Sequence, residues 1–156
     1  MTRTPTLLAF LLPAALLAGV WIAQLGFGLY PCEMCHWQRW PHYAALVAAA
    51  AALALPAQRR PLTYLAAALI AVSGAIGVLH AGVEYGWWPG FTSCTSTIRL
   101  TGATAAERLD QIMAAPLVRC DRPAWTLAGV SLAGFNAILS LGGALVILVM
   151  MRRHPR

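Results

Sequence analysis

The sequence predicts an all-α fold: a four-helix transmembrane bundle with two extracytoplasmic loops, the second carrying a short interfacial helix. Three observations carry that expectation. Hydrophobic residues make up 60% of the 156-residue chain and charged residues only 10%, which leaves too little polar surface for a water-soluble body of that size. Four apolar runs, residues 7–30, 37–55, 62–83 and 125–151, come near or exceed the roughly 20 helical residues that cross a hydrocarbon core about 30 Å thick. The segments joining these runs differ sharply in charge. Arg3, Arg59, Arg60, Arg152, Arg153 and Arg156 fall on one side with no acid among them, whereas on the other side Arg39, Arg99, Arg108, Arg119 and Arg122 are balanced by Glu33, Glu84, Glu107, Asp110 and Asp121. The formal charge of +6 therefore belongs to one face. By the positive-inside rule that face is cytoplasmic, with both termini inside and the cysteine-bearing loops outside. The basic composition thus reports topology and does not imply a nucleic acid partner.

Taken in order, the first run is too long for the 7–15 residue core of a secretory signal, and no small-x-small cleavage site ends it before Trp21 and Gln24, so it reads as a span. The second run, counted from Pro41 to Leu55, would reach only about 22 Å. Its helix is therefore expected to begin between Glu33 and Trp37, with Pro41 kinking it. Gly74 and Gly77 in the third run, with Gly129 and Ala133 in the fourth, read as points of close helix approach. Gln24, Ser131 and Asn136 read as interhelical hydrogen-bonding groups. Trp87, Trp88, Pro89 and Gly90 close the third helix as an interfacial aromatic belt and turn. In the long second loop Thr104 and Glu107 have capping-box spacing. Ala105, Leu109, Ile112 and Met113 then share one helical face, opposite Glu107, Arg108, Asp110 and Gln111. Such a helix either lies on the membrane surface or packs on the bundle. Residues 1–156 form a single integral membrane domain.

The chemistry resides in four cysteines, all expected on the oxidising side of the membrane. Cys32 and Cys35 form a C-x-x-C preceded by Pro31. A bridge across so short a loop gains roughly 2 kcal/mol or less, against roughly 3.5 kcal/mol for one joining Cys94 and Cys120, so the short pair makes a poor staple. It makes a good exchange site where a helix N-terminus stabilises a thiolate. Cys35, in the first turn, is expected to feel that positive end, and Arg39 one turn deeper adds a full charge. Arg39 alternatively snorkels to the interface or pairs with Glu33. His80 and Glu84, four apart, either pair with each other or serve proton delivery.

Other readings of the same residues stay open on sequence grounds. Cys32, Cys35 and His36 spell C-x-x-C-H, the attachment signature of c-type haem, although roughly ten loop residues offer little to enclose one. A four-cysteine zinc site would need closer spacing than the 25 residues between Cys94 and Cys120, so no metal is expected. The remaining alternatives are a membrane scaffold with purely structural disulfides and a redox enzyme that runs electrons the opposite way, as a reductase using membrane thiols. Nicotinamide and flavin fingerprints are absent from the sequence.

The stretches PCEMCHWQRWPHY (residues 31–43), HAGVEYGWWPG (80–90, with Cys94 just beyond) and CDRPAWTLAGVSLAGFNA (120–137) closely resemble the disulfide bond formation protein B family, DsbB. The resemblance runs over essentially the whole chain; His36 directly after the C-x-x-C is the departure. It implies a quinone-linked thiol oxidase of the bacterial inner membrane, whose partner is a periplasmic thioredoxin-fold dithiol oxidase of the DsbA type and whose electron acceptor is a ubiquinone-like quinone. Carried over by position, the resemblance implies that Cys94 forms the mixed disulfide with the partner and Cys120 attacks Cys32. Cys35 is then left as the thiolate facing the quinone, with Arg39 as the arginine near the ring. A dithiol of the DsbA type, at about −120 mV, is itself a strong oxidant, so whatever re-oxidises it must hand electrons to a stronger acceptor.

Overall fold

The computed structural model describes residues 3–92, 104–113 and 118–153, and Cys94 lies outside them. Four long helices dominate: α1 (Thr4–Phe27), α2 (Glu33–Ala54), α3 (Arg59–Glu84) and, after the short α4 (Ala105–Met113) and a two-stranded hairpin β1 (Thr126–Leu127) and β2 (Val130–Ser131), α5 (Leu132–Arg153). Helix α3 lies at the centre, packed on α2 along one side and α5 along the other, while α1 closes the bundle against α2 and α5.

The packing is turned inside out relative to a soluble bundle. Small residues face inward, with Ala9, Ala45, Ala49, Ala66 and Ala67 fully buried beside Ile70 and Ile147. Large apolar residues face outward: Leu25 is 78% exposed, Val47 71% and Leu145 62%. That exposure suits a hydrocarbon solvent, in which close packing of small residues holds helices together. Gly74 and Gly77 serve that packing, because a Cβ at Gly74 would stand 2.8 Å from Leu141 and one at Gly77 would stand 3.0 Å from the Ala133 carbonyl of α5. Thr6 and Thr63 share a buried 3.0 Å hydrogen bond that ties α1 to α3.

Among the described residues, three helical stretches are long and apolar enough to cross a membrane, Thr4–Phe27, Pro56–Glu84 and Leu132–Arg153, not the expected four. Helix α2 has the length, 22 residues, but its N-terminal half carries Glu33, His36, Gln38, Arg39 and His42. The fourth long helix also begins later than its apolar run. Residues 126–131 form an antiparallel hairpin whose turn residues Ala128 and Gly129 both have positive φ, 51° and 81°, as a type I′ turn requires. Gly129 is therefore a turn residue and not a helix-packing one. Ser131 then caps α5, its Oγ accepting the Gly134 N–H at 3.1 Å. In α4, Thr104 and Glu107 exchange reciprocal 3.2 Å bonds, and Leu109, Ile112 and Met113 are exposed.

Candidate active site

The C-x-x-C straddles the start of α2. Cys32 is the N-cap residue, with extended backbone (φ −79°, ψ 176°), and its sulfur accepts the backbone N–H of Cys35 at 3.4 Å. Cys35 occupies the third helical position, its Sγ 3.1 Å from that of Cys32, and both are free thiols. Cys35 thus lies in the first turn as expected, and the sulfur that receives the N-terminal hydrogen bond is that of Cys32. The Cys35 thiol, with His80 and the helix N–H behind it, holds the Cys32 thiol at about 4, against the opposing pull of burial. Cys32 is the thiolate of the pair.

Three more residues close over Cys32. Cys120, fully buried and disulfide-bonded, lies with His80 so near that its sulfur, that of Cys32 and the imidazole nitrogen are all within 4.8 Å of one another. While oxidised, Cys120 cannot act as a thiolate metal ligand. His80 Nε2 is 3.5 Å from Cys32 Sγ, a neighbour the sequence did not suggest, and 3.7 Å from Glu84 Oε1. Glu84 also accepts the Ser131 hydroxyl proton. Trp88, half-buried, packs against the cluster. Its ring lies against Gly82, where any Cβ would collide with it, and its Nε1 donates to the Leu79 carbonyl at 2.9 Å. Trp87 stays 66% exposed.

The His80 tautomer follows from its neighbours. Gln38 Nε2 donates to the Met34 carbonyl at 3.1 Å, which can only accept, so the amide orientation is fixed. The same Nε2 lies 2.8 Å from His80 Nδ1, which must therefore accept, and the ring hydrogen resides on Nε2, facing Cys32.

Cys35 faces a different space. A cavity of about 280 Å³ between α1, α2 and α5 has Cys35, Gln38, Arg39, His42 and Asn136 as its polar lining, in otherwise apolar walls that include Leu17 and Phe135. Arg39 is 8% exposed. Its Nη1 donates to Gln24 Oε1 at 2.8 Å and its guanidinium lies 5.4 Å from the centroid of the Trp21 ring, so it is anchored on α1 and does not snorkel. His36 is exposed.

Gln38, His42 and Asn136 were not singled out as site residues by the sequence. A signal existed for the first two: from Cys35, positions 38, 39 and 42 follow at helical spacing and put a polar stripe on one face of an otherwise apolar helix.

A helical bundle with apolar outer surfaces, an exchangeable thiol pair capping a helix and a second oxidised cysteine against it defines a membrane-embedded thiol oxidoreductase. Comparison with known proteins agrees with that class. The family model of disulfide bond formation protein DsbB matches residues 2–150, and the chain belongs to this family. Membership makes the protein part of the inner-membrane machinery of disulfide-bond formation. A relative in Rickettsia prowazekii (strain Madrid E), described as uncharacterized protein RP370, is 24% identical over 141 residues, covering 90% of this chain and 81% of the relative. No solved structure matches.

Proposed function

We propose that the protein re-oxidises a periplasmic thioredoxin-fold dithiol oxidase of the DsbA type and delivers the electrons to a membrane quinone. The observation that carries this reading is the division of one motif between two environments. Cys32 lies within 4.8 Å of Cys120 and His80, while Cys35, one helical turn on, lines an apolar cavity together with Arg39.

The cavity suits a quinone ring. Its 280 Å³ lies close to the lower end of the roughly 300–1,000 Å³ of small-molecule sites, room for a single ring in apolar walls. Arg39 offers donors, and the buried His42 Nδ1 lacks a hydrogen-bond partner, as expected of a wall that meets a polar ligand atom. Cys35 and Arg39 would hold the ring, which when bound supplies a two-electron, two-proton acceptor.

The chain's own sulfurs do the rest. The partner dithiol reduces a Cys94–Cys120 disulfide and leaves as a disulfide itself. The Cys120 thiolate then attacks Cys32 in a Cys32–Cys35 disulfide, so that a Cys32–Cys120 bond forms and Cys35 departs as a thiolate on the cavity side. Cys94 next attacks Cys120, remaking the long-loop disulfide and releasing Cys32. Stabilising the departing Cys32 thiolate favours the reduced form of the short pair, which makes that pair the stronger oxidant and draws electrons from the long loop towards the cavity. Arg39 stabilises negative charge on the cavity side.

In this reading α2 is the fourth span. Its 22 residues extend about 33 Å, and the polar Gln38, Arg39 and His42 are buried in the bundle, where a membrane helix keeps such groups. Helix α4 lies on the outer membrane surface with Leu109, Ile112 and Met113 towards lipid, and both termini are cytoplasmic. The test is purified protein given a reduced DsbA-type dithiol and a soluble quinone. One quinone reduced per dithiol oxidised is expected, and this should be lost in Cys35→Ser. Dithiol oxidation without quinone reduction would refute the proposal.

A further inference from the structure

One group on the cavity wall takes no part in the sulfur exchange. His42 is 3% exposed, and its protonation pattern can be read from its partners. Asn136 Nδ2 donates to the Ser73 carbonyl at 3.1 Å and to Gln38 Oε1 at 2.9 Å. A carbonyl oxygen only accepts, so the Asn136 amide is oriented with Oδ1 towards His42. That oxygen lies 2.9 Å from His42 Nε2 and also accepts from Ser140 Oγ at 2.8 Å. His42 Nε2 must therefore carry the hydrogen, which leaves Nδ1 of the neutral ring as a bare lone pair. Nδ1 is the one buried side-chain nitrogen or oxygen without a hydrogen bond among the described residues. Such an atom is costly in a closed core, and the residue that carries it lines the cavity.

We propose that His42 is a ligand-recognition residue of the cavity, its Nδ1 accepting the hydrogen bond of a hydroquinone hydroxyl, so that the site holds the reduced ring more tightly than the oxidised one. This rests on the quinone reading above. A quinone carbonyl presents only lone pairs, which face the lone pair of Nδ1 unfavourably, and its natural partner in the cavity is the donor-only Arg39. The two electrons and one proton released as the Cys32 thiolate and the Cys35 thiol close to a disulfide, with a second proton taken from water, convert both ring carbonyls to hydroxyls. Nδ1 then gains a donor. Preferential binding of the reduced ring shifts the bound couple towards reduction, the direction in which the site must run.

The test is equilibrium binding of a short-chain benzoquinone, its hydroquinone and the hydroquinone dimethyl ether, which has no hydroxyl donor, to protein with both cysteine pairs oxidised. His42→Gln keeps a side-chain N–H for Asn136 and removes the Nδ1 acceptor. The hydroquinone should bind about threefold to tenfold more weakly to the variant, as expected for one neutral hydrogen bond, with the other two ligands unchanged. In the wild-type protein, independently of any folding defect in the variant, the His42 Nδ1 nitrogen resonance should move on adding hydroquinone and not on adding the dimethyl ether. Equal weakening of all three ligands, an unchanged hydroquinone affinity, or a loss confined to the quinone would each overturn the assignment to His42. Wild-type protein that binds none of the three would overturn the quinone reading itself.

Discussion

The Cys32 thiolate gives the most exacting test of the site. Its thiol is held at about 4, against an ordinary value of 9.0, so at neutral pH the reduced protein keeps it ionised while an unperturbed thiol would be almost wholly protonated. Between pH 7 and the folded-state value lie about three pH units, which at about 1.4 kcal/mol each stabilise the reduced pair by about 4 kcal/mol. For a two-electron couple that raises the potential by about 90 mV. The sign is that of a depressed acid. The stabilisation is complete above about pH 9, shrinks as pH falls, and is gone below about pH 4. The perturbations are Cys35→Ala, which removes the largest support, and His80→Phe, which removes the imidazole hydrogen bond. In protein carrying Cys94→Ser and Cys120→Ser, ultraviolet thiolate absorbance should titrate near pH 4. The midpoint should rise in His80→Phe and rise further in Cys35→Ala. A band that appears only near the ordinary thiol range of about 8.5 would refute the reasoning, because Cys32 would then be no better a leaving group than a free cysteine.

Three further outcomes are expected. Cys120→Ser removes the sulfur that resolves attack at Cys94, so a reduced partner should accumulate as a mixed disulfide on a non-reducing gel, and Cys94→Ser should abolish capture. Arg39→Ala removes a charge-assisted contact worth about 1.5–3 kcal/mol, so quinone reduction should fall roughly tenfold to a hundredfold with partner capture at Cys94 little changed. Arg39→Lys, which keeps the charge and loses the planar fork, should be intermediate, and loss of capture and reduction together would mean a folding defect. A periplasm-active reporter fused after Arg60 should be silent, and activity there would overturn the orientation drawn from the arginines.

Much of the architecture was legible because hydrophobicity and charge act over long windows. The helical bundle and the position of Cys32 and Cys35 at the mouth of α2 followed from run length and from the reach of a helix counted back from Leu55. What failed depended on local backbone detail. Residues 125–131 read as one apolar helix because Trp125, Leu127 and Val130 are as hydrophobic as a span, but two consecutive positive-φ residues at Ala128 and Gly129 make a hairpin, and only Ser131 can then open α5. That Cys32 also takes a bond from the helix terminus is a similar detail. The N-cap sulfur receives the N–H bond, and a boundary uncertain by a few residues cannot say which cysteine is the cap. That Trp88 and not Trp87 packs on the cluster depends on the bare surface at Gly82, six residues behind. The approach of His80 to Cys32 links residues 48 apart in the chain, which no periodicity reveals.

The polar residues between the two halves of the site show why the bundle keeps them. Gln38 and Asn136 join through the 2.9 Å bond from Asn136 Nδ2 to Gln38 Oε1. Gln38 then meets His80 on the sulfur side, while Asn136 meets His42 on the cavity side. Side-chain amides are poor proton carriers, so this row is not a conduit. It acts as an orienting device: each amide is fixed by a backbone carbonyl, that of Met34 for Gln38 and that of Ser73 for Asn136, and each in turn dictates which nitrogen of its histidine bears hydrogen. The consequences are opposite on the two sides. His80 presents a donor to the sulfur that must hold negative charge, whereas His42, which lines the cavity, is left with a bare acceptor. In an apolar bundle no water competes to rotate these groups, so two amides are enough to give two chemically identical rings different roles.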